Sequence, residues 1–181
     1  MRRNDGEIRR NEGDSAPDLC WGRQPIRDLL EKTPEYGLRV LLSSRLSPAQ
    51  TSEFRILASA AGIPVDTVDP AFLERECGTT ATQGIAARIS PIPCRSLEWL
   101  LKAENGKEAS LLVLLDHIQD PHNLGAVVRT AEAAGASAVL FPRRRSALPG
   151  GIAVKTSAGA ILRVPMVSVQ NVAACIGELQ Q

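Results

Sequence analysis

Three residues whose types and spacing suit anion chemistry, Asn123, Gly125 and Arg129, lie in one short segment, residues 116–135, of sequence DHIQDPHNLGAVVRTAEAAG. Residues four apart share one face of a helix, so we expect Gly125 and Arg129 on the same side. Arg129 could bind a phosphate through two hydrogen bonds, Gly125 would leave a notch for a nucleotide backbone, and Asn123 could fix a neighbouring polar group. Alternatively, Asn123 only caps the helix and Arg129 pairs with Glu132. The spacing leaves both interpretations open.

The surrounding sequence predicts a β–loop–α–β unit. Residues 111–115 form an apolar run that is typical of a strand buried on both faces. We expect Asn123 to begin a helix, Gly135 to end it, and residues 137–141 to form the next strand. Such units build parallel sheets, in which ligands bind at the carboxyl ends of the strands. Residues 116–125 therefore lie at an expected ligand-binding edge.

The preceding part of the chain predicts a smaller α/β domain over residues 19–90. Residues 1–18 are highly charged without apolar periodicity, so we expect a disordered tail. Residues 91–108, which begin with a Pro-Ile-Pro boundary, are expected to link this domain to a second one over residues 109–181, with a linker helix and turn over residues 95–106. Helices are expected at residues 25–32, 48–61 and 70–76, and strands at residues 38–43, 64–68 and 84–90.

The composition is that of a two-domain globular protein. At 181 residues and 44% hydrophobic content, the chain can bury a core. The net charge of +1 means that any nucleic-acid surface is a local patch, and 3% aromatic content argues against a base-stacking platform. The four scattered cysteines show no metal-ligand or disulfide spacing, so we expect packing thiols in a reducing cytoplasm and no metal site. No apolar run has the length of a membrane span.

The segment DPHNLGAVVRTAEAAG resembles the first motif of the SpoU (TrmH-type) branch of the SPOUT RNA methyltransferases, with its Asn-x-Gly-x-x-x-Arg-Thr-Ala core. KTSAGA, at residues 155–160, resembles the second motif, where small residues are expected to let a helix pack closely. WGRQP at residues 21–25 and TQGIA at residues 82–86 resemble the two ends of the small RNA-binding domain of many members. The resemblance is closest to the group that methylates a guanosine ribose in 23S rRNA.

This resemblance implies transfer of a methyl group from S-adenosylmethionine to a ribose 2′-hydroxyl, by a homodimer whose sites combine residues of both subunits. It implies an α/β fold: an L30e-like substrate-binding domain followed by the first half of a SPOUT (α/β-knot) parallel-sheet domain. Asn123 would help order the site, and Arg129 would act on the 2′-hydroxyl. Because an unperturbed arginine stays protonated, we expect Arg129 to serve as an electrostatic and positioning group.

Further RNA contacts are expected at Gly125, at Gln83 and in a loop of three arginines. The loop, formed by Arg143, Arg144 and Arg145, follows the strand predicted at residues 137–141 and is expected to bind RNA phosphates. Three arginines in a loop are also an ordinary solvated surface. Gln83 is expected on the RNA face of the first domain, although the glycine after it could simply shape a turn into the strand.

One part of the family pattern has no counterpart here. Members carry a third motif, a Gly-rich loop with a glutamate and a later Ser-Leu-Asn, which completes the knot that holds the cofactor. Nothing after Ala160 resembles it, so we expect the cofactor-binding residues to lie outside this sequence and the chain to be a fragment. Two alternatives are a truncated, non-catalytic RNA-binding relative and another nucleotide-binding α/β enzyme. The second is disfavoured because neither G-x-G-x-x-G after a strand nor G-x-x-x-x-G-K-[ST] occurs.

Overall fold

The computed structural model describes residues 18–105 and 110–180, in which the strands form two sheets of four. The expected charged tail therefore lies outside the described residues, except for Asp18, which begins a strand rather than belonging to the tail. The first sheet has the order β1-β4-β2-β3, with β4 antiparallel to both β1 and β2, and β2 parallel to β3. The elements of this first unit are β1 (Asp18–Trp21), α1 (Arg23–Lys32), β2 (Gly37–Ser43), α2 (Pro48–Ala60), β3 (Val65–Val68), α3 (Pro70–Cys77) and β4 (Ile85–Ile89).

Local sequence signals explain why α2 and α3 begin at the predicted residues, whereas α1 begins at Arg23, two residues before the predicted Pro25. Pro48 and Pro70 each occupy a first helical position, where a missing N–H costs nothing. Ser47 caps α2 by accepting a hydrogen bond of 3.3 Å from the amide of Gln50. Strand β1 was not predicted, because its four residues lack a clear pattern of alternation.

The second sheet is entirely parallel, with the order β5-β8-β7-β6, which confirms the predicted parallel-sheet domain. Its elements are β5 (Cys94–Arg95), α4 (Leu97–Glu104), β6 (Leu112–Leu114), α5 (Pro121–Ala133), β7 (Ala138–Pro142), α6 (Gly151–Thr156), β8 (Met166–Val169) and α7 (Val172–Leu179). The helix predicted within residues 95–106 is present as α4, but these residues belong to the second domain rather than to a linker, because β5 pairs with β8 and α4 packs on the same sheet. Residues 106–109 lie outside the described residues.

Strand β6 is less buried than the sequence predicts. Its three residues are all half-buried, and Leu111 just before it is 46% exposed. The physical reason is position: among the described strands only β7 lies beside β6, so β6 forms an edge of the sheet. The prediction of a strand buried on both faces is therefore wrong in this structure.

Alternating side chains of the second sheet divide it into two faces. Val139, Phe141 and Met166 belong to the cluster packed against α5 and α6, whereas Leu140 and Val167 pack against α4 and α7. The α5–α6 side is continuous with the core of the first unit, so one hydrophobic cluster runs through both units. Helix α5, which carries the candidate residues, is thereby fixed relative to the first sheet.

Candidate active site

Helix α5 begins two residues before Asn123. Asp120 has extended backbone dihedral angles, and its Oδ1 accepts a hydrogen bond of 2.8 Å from the amide of His122. Pro121 occupies the first helical position. The prediction that Asn123 caps the helix is therefore wrong, because the Asp-Pro pair already supplies the cap and the first residue. Asn123 instead lies in the first turn of α5 with an exposed side chain.

Arg129 lies two turns further along α5 and is exposed. It makes no hydrogen bond or ion pair with residues in the described ranges. Glu132, the alternative partner, is bound by Arg163 through Nε to Oε1 and through Nη2 to Oε2, the latter at 2.8 Å. The predicted alternative of an Arg129–Glu132 pair is thus not formed. The guanidinium of Arg129 is available to an external anion.

Gly125 has a packing role rather than the open notch we expected. It is buried, and a Cβ placed on it would lie 1.9 Å from Oγ1 of Thr156 and 2.9 Å from the carbonyl oxygen of Ala153. Both contacts belong to α6, which fills the space beside the glycine. The expectation of a nucleotide backbone in that space is therefore wrong, and Gly125 lets α5 and α6 approach closely.

The loops at the carboxyl ends of β6 and β7 are joined to each other. The amide of Ala147, in the β7–α6 loop, donates a hydrogen bond of 2.7 Å to the carbonyl of Ile118, in the β6–α5 loop. Each loop holds one non-glycine residue with left-handed backbone, His117 at φ 50° and Arg145 at φ 58°. Such strained backbone is held in place by its surroundings and is common at functional sites. The loops therefore form one defined surface.

The side chains of the three-arginine loop lie on this surface. Arg143, Arg144 and Arg145 are all exposed, and the amide of Arg143 donates a hydrogen bond of 3.0 Å to the carbonyl of Val169 at the end of β8. The loop thus follows the carboxyl end of β7 directly, as the sequence predicts. Its contact with RNA stays a prediction.

Gln83, just before β4, is hydrogen-bonded to the start of α1. Its Oε1 accepts a hydrogen bond of 2.7 Å from the amide of Arg23, the first residue of α1. Gly22 before it has no side chain that could cap α1, so Gln83 supplies the cap from a distant part of the chain. Nothing in the local sequence around Gln83 indicates this role. RNA contact by Gln83 stays a prediction, and its oxygen is already used by the protein.

In the second motif, residues 155–160, Ser157 and Gly159 have the packing role that the sequence predicts. Ser157 is 1% exposed, and its hydroxyl donates to the carbonyl of Val154 and accepts from the amide of Ile161. Gly159 has a left-handed φ of 84°, and a Cβ there would lie 3.2 Å from Cβ of Asp28 in α1. Lys155 places its Nζ 4.8 Å from the centre of the Trp21 ring. This segment therefore packs the second unit against the first.

Two negative findings apply to residues 18–105 and 110–180. No group of three or more histidine, cysteine, aspartate or glutamate side chains in these ranges could hold a metal ion. No helix in the same ranges has the length and apolar character needed to cross a membrane.

Comparison with known proteins gives two family matches. A model of the SpoU rRNA Methylase family matches residues 110–181. A model described as RNA 2′-O ribose methyltransferase substrate binding matches residues 19–93. Together the two matches cover the first unit from residue 19 and the second unit from residue 110.

Curated relatives match over nearly the whole chain. The 23S rRNA (guanosine-2′-O-)-methyltransferase RlmB of Xanthomonas campestris pv. campestris is 36% identical over 163 residues, which cover 88% of this chain and 65% of that protein. The protein of the same name from Acinetobacter baylyi is 32% identical over 166 residues, which cover 92% of this chain and 67% of that protein. The chain thus spans about two thirds of the length of these relatives.

Solved structures share the fold. An rRNA methyltransferase from Sinorhizobium meliloti superposes with a TM-score of 0.68 at 20% identity, covering 90% of this chain and 58% of that one. The SpoU methyltransferase AviRb from Streptomyces viridochromogenes, in complex with the cofactor AdoMet, gives a TM-score of 0.65 at 20% identity, covering 90% of this chain and 57% of that one. At this level of identity the likeness concerns the fold.

Proposed function

Because the chain belongs to the SpoU rRNA methylase family, we propose that it works in the transfer of a methyl group from S-adenosylmethionine to the 2′-hydroxyl of a guanosine ribose in 23S rRNA. The observation that carries the proposal is the exposure of Arg129 and its lack of a partner among the described residues. This arginine matches the arginine of the family's first motif, and it is exposed without a partner among the described residues. An unpaired guanidinium on the helix that begins at the strand-end loops suits a group that binds RNA.

The proposed role of Arg129 follows from its chemistry. An arginine remains protonated at any physiological pH, so it is a poor proton acceptor. Held against an RNA phosphate by two hydrogen bonds, Arg129 positions the ribose, and its positive charge stabilises the negative charge that develops on the 2′-oxygen. S-adenosylmethionine, the methyl donor that the family resemblance implies, would supply the methyl group. Asn123, exposed in the first turn of the same helix, is proposed to orient the ribose or its phosphate.

The proposed RNA surface extends over the joined loops. Arg143, Arg144 and Arg145 present three guanidinium groups there, although the whole chain has a net charge of only +1. Affinity for RNA therefore depends on where the cations lie rather than on their number. Gln83 is proposed as a contact on the first unit through its amide nitrogen, since its oxygen caps α1.

The described residues do not fit a complete pocket for S-adenosylmethionine. The cavity beside the start of α5, of about 280 Å³, is lined mainly by apolar residues and glycines. Its one charged lining group is the carboxylate of Asp18, which accepts a hydrogen bond of 2.6 Å from the amide of Gly151. A cofactor with an adenosine and an amino-acid end needs several polar partners. We therefore assign no cofactor ligand to this chain.

The proposal also includes the oligomeric state of the protein and its location in the cell. A homodimer is supported by the family resemblance alone. The cytoplasm is supported by ribosomal RNA as the proposed substrate and by the free thiols of Cys20, Cys77, Cys94 and Cys175.

The direct test is a map of 2′-O-methylated riboses in 23S rRNA from cells with and without the gene for this chain. A methylated ribose resists alkaline cleavage of the following phosphodiester, so each site is read from the RNA itself. We expect one guanosine to lose its protection in the deletion strain and to regain it when the gene is restored. An unchanged map would contradict the proposal, and RNA binding without any lost methyl group would indicate a non-catalytic relative.

A further inference from the structure

Arg163, just after the short helical turn at Ala160–Leu162, bridges the two structural units. It binds the carboxylate of Glu132 in α5 through two of its nitrogens, with Nη2 to Oε2 at 2.8 Å. Its Nη1 also lies 3.3 Å from Oδ2 of Asp28 in α1. One guanidinium thus connects the helix that carries Arg129 to the first helix of the substrate-binding unit.

In the first unit, the partner of Arg163 is a buried carboxylate, that of Asp28. Asp28 is 5% exposed and accepts hydrogen bonds from Nε2 of Gln24 at 2.7 Å and from Nζ of Lys32 at 3.0 Å, besides its contact with Arg163. Gly159 leaves the necessary space, because a Cβ there would lie 3.3 Å from Nη1 of Arg163. Arg163 is therefore held in place from the side opposite Glu132.

The location of Glu132 gives this bridge a consequence for Arg129. The two residues are three apart on α5, a spacing at which opposite charges on a helix attract each other. A free Glu132 carboxylate would therefore compete with an RNA phosphate for the guanidinium of Arg129. In the structure the carboxylate is occupied by Arg163, and Arg129 stays unpaired within the described part of the chain.

We propose that Arg163 is a positioning residue which, by binding Glu132, keeps Arg129 free for an RNA phosphate. Asp28 keeps Arg163 in place for this purpose. The proposal rests on the proposed RNA-binding role of Arg129. The pKa shifts of the two residues agree with this geometry. The hydrogen bond from Arg163 lowers the pKa of Glu132, and the same bond raises the pKa of Arg163.

The experiment compares RNA affinity and its salt dependence for the full chain and its variants, with a 23S rRNA transcript as the probe. In Arg163→Ala the freed Glu132 engages Arg129, so we expect affinity to fall about two- to fivefold. The slope of log K against log salt should become shallower by about 0.7–0.9, the contribution of one phosphate contact. In the double variant Arg163→Ala/Glu132→Gln the competing carboxylate is gone, so both quantities should return to wild-type values.

The recovery in the double variant separates this role from a merely structural one. If Arg163 only stabilised the fold, the double variant would bind RNA no better than Arg163→Ala, because neither variant has the bridge. Arg39→Ala is the control, because Arg39 also binds a carboxylate: its Nη1 donates to both oxygens of Asp66 in the first unit, at 2.9 and 2.8 Å. Its salt slope should not change. If Arg163→Ala is unfolded at the assay temperature, Arg163→Met replaces it, because methionine keeps an unbranched apolar stem for packing but has no cation to bind Glu132.

The variant Arg129→Ala separates a failure of the proposed RNA-binding role of Arg129 from a failure of the proposed positioning role of Arg163. If it binds RNA as the wild type does, the proposed function of Arg129 fails first. If it weakens binding while Arg163→Ala does not, or if Glu132→Gln fails to restore binding to the Arg163 variant, the positioning role of Arg163 is overturned.

Discussion

Gly125 in α5 lies against Thr156 in α6 so closely that a Cβ on the glycine would be 1.9 Å from the threonine Oγ1. The hydroxyl of Thr156 donates to the carbonyl of Ile152, one turn earlier in α6. The two motifs that the sequence singled out therefore meet directly, one on each helix. Their contact sets the orientation of α5 and, with it, the direction in which Arg129 points.

Gly125→Ala should destabilise the protein. The added methyl group would meet both Thr156 and the backbone carbonyl of Ala153, so α5 and α6 must separate. Overpacking of this kind costs about 1–3 kcal/mol, measured as the free energy of unfolding in urea. The matched control is Gly177→Ala in α7, where no atom lies within 4 Å of the added Cβ. That variant should gain about 0.5–1 kcal/mol, because alanine is the better helix former, and equal effects in both variants would contradict the packing role.

Replacing Arg143, Arg144 and Arg145 together by alanine should weaken RNA binding and flatten its salt dependence. If all three bind phosphates, the slope of log K against log salt falls by about 2–3. Lys102→Ala is the control, because Lys102 lies on α4 and pairs with Glu98 at 2.7 Å, away from the strand-end loops. An unchanged slope in the triple variant would make the loop an ordinary solvated surface.

The Glu132–Arg163 bridge should make stability depend on pH in acid. Because Arg163 lowers the pKa of Glu132 from its ordinary 4.5, the contribution of the bridge is fully present above about pH 4.5. It is lost as the pH falls through the lower pKa of the folded protein. Glu132→Gln should therefore be less stable than the wild type at pH 7 and approach it as the pH falls well below 4.5, as followed by urea unfolding. A stability difference that stays constant across this range would contradict the ion pair.

The buried thiols should be unreactive until the protein unfolds. Burial raises the pKa of Cys20 to about 12 and that of Cys77 to about 11. At pH 8 a thiol with a pKa of about 12 is ionised in only about one molecule in ten thousand. A disulfide reagent at pH 8 should therefore leave both residues unmodified in the native protein, whereas all 4 cysteines should react in denaturant. Fast native labelling of Cys20, located by peptide mass, would contradict the complete burial of its side chain in β1.

The sequence predicts the elements well where local chemistry decides them. Helix α2 begins at Pro48 behind a serine cap, and α5 is followed by Gly135 with a left-handed φ of 77°, as expected of a glycine that ends a helix. The start of α5 was misplaced because two capping signals compete. Asp120 and Asn123 can both cap a helix, and only the fixed φ of Pro121 between them favours the earlier one.

The features that local sequence could not reveal depend on distant contacts. Gln83 caps α1 from 60 positions away, and Arg163 contacts Asp28 across 135 positions. The burial of Gly125 depends on α6, whereas the sequence of α5 alone suggested an open notch. Strand β5 has only two residues, too few for any periodic pattern, and exists because β8 lies beside it.

The central claim is tested most directly in cells that lack the gene for this chain, complemented with the wild-type gene, with Arg129→Ala, or with Lys102→Ala as the exposed-cation control. The measurement is the fraction of the candidate 23S rRNA guanosine that is protected from alkaline cleavage. We expect the wild-type and Lys102→Ala genes to restore protection, and Arg129→Ala to leave the ribose unmethylated at an equal level of protein. Full protection with Arg129→Ala would contradict the assignment of Arg129, and the absence of any guanosine that depends on the gene would contradict the proposed function itself.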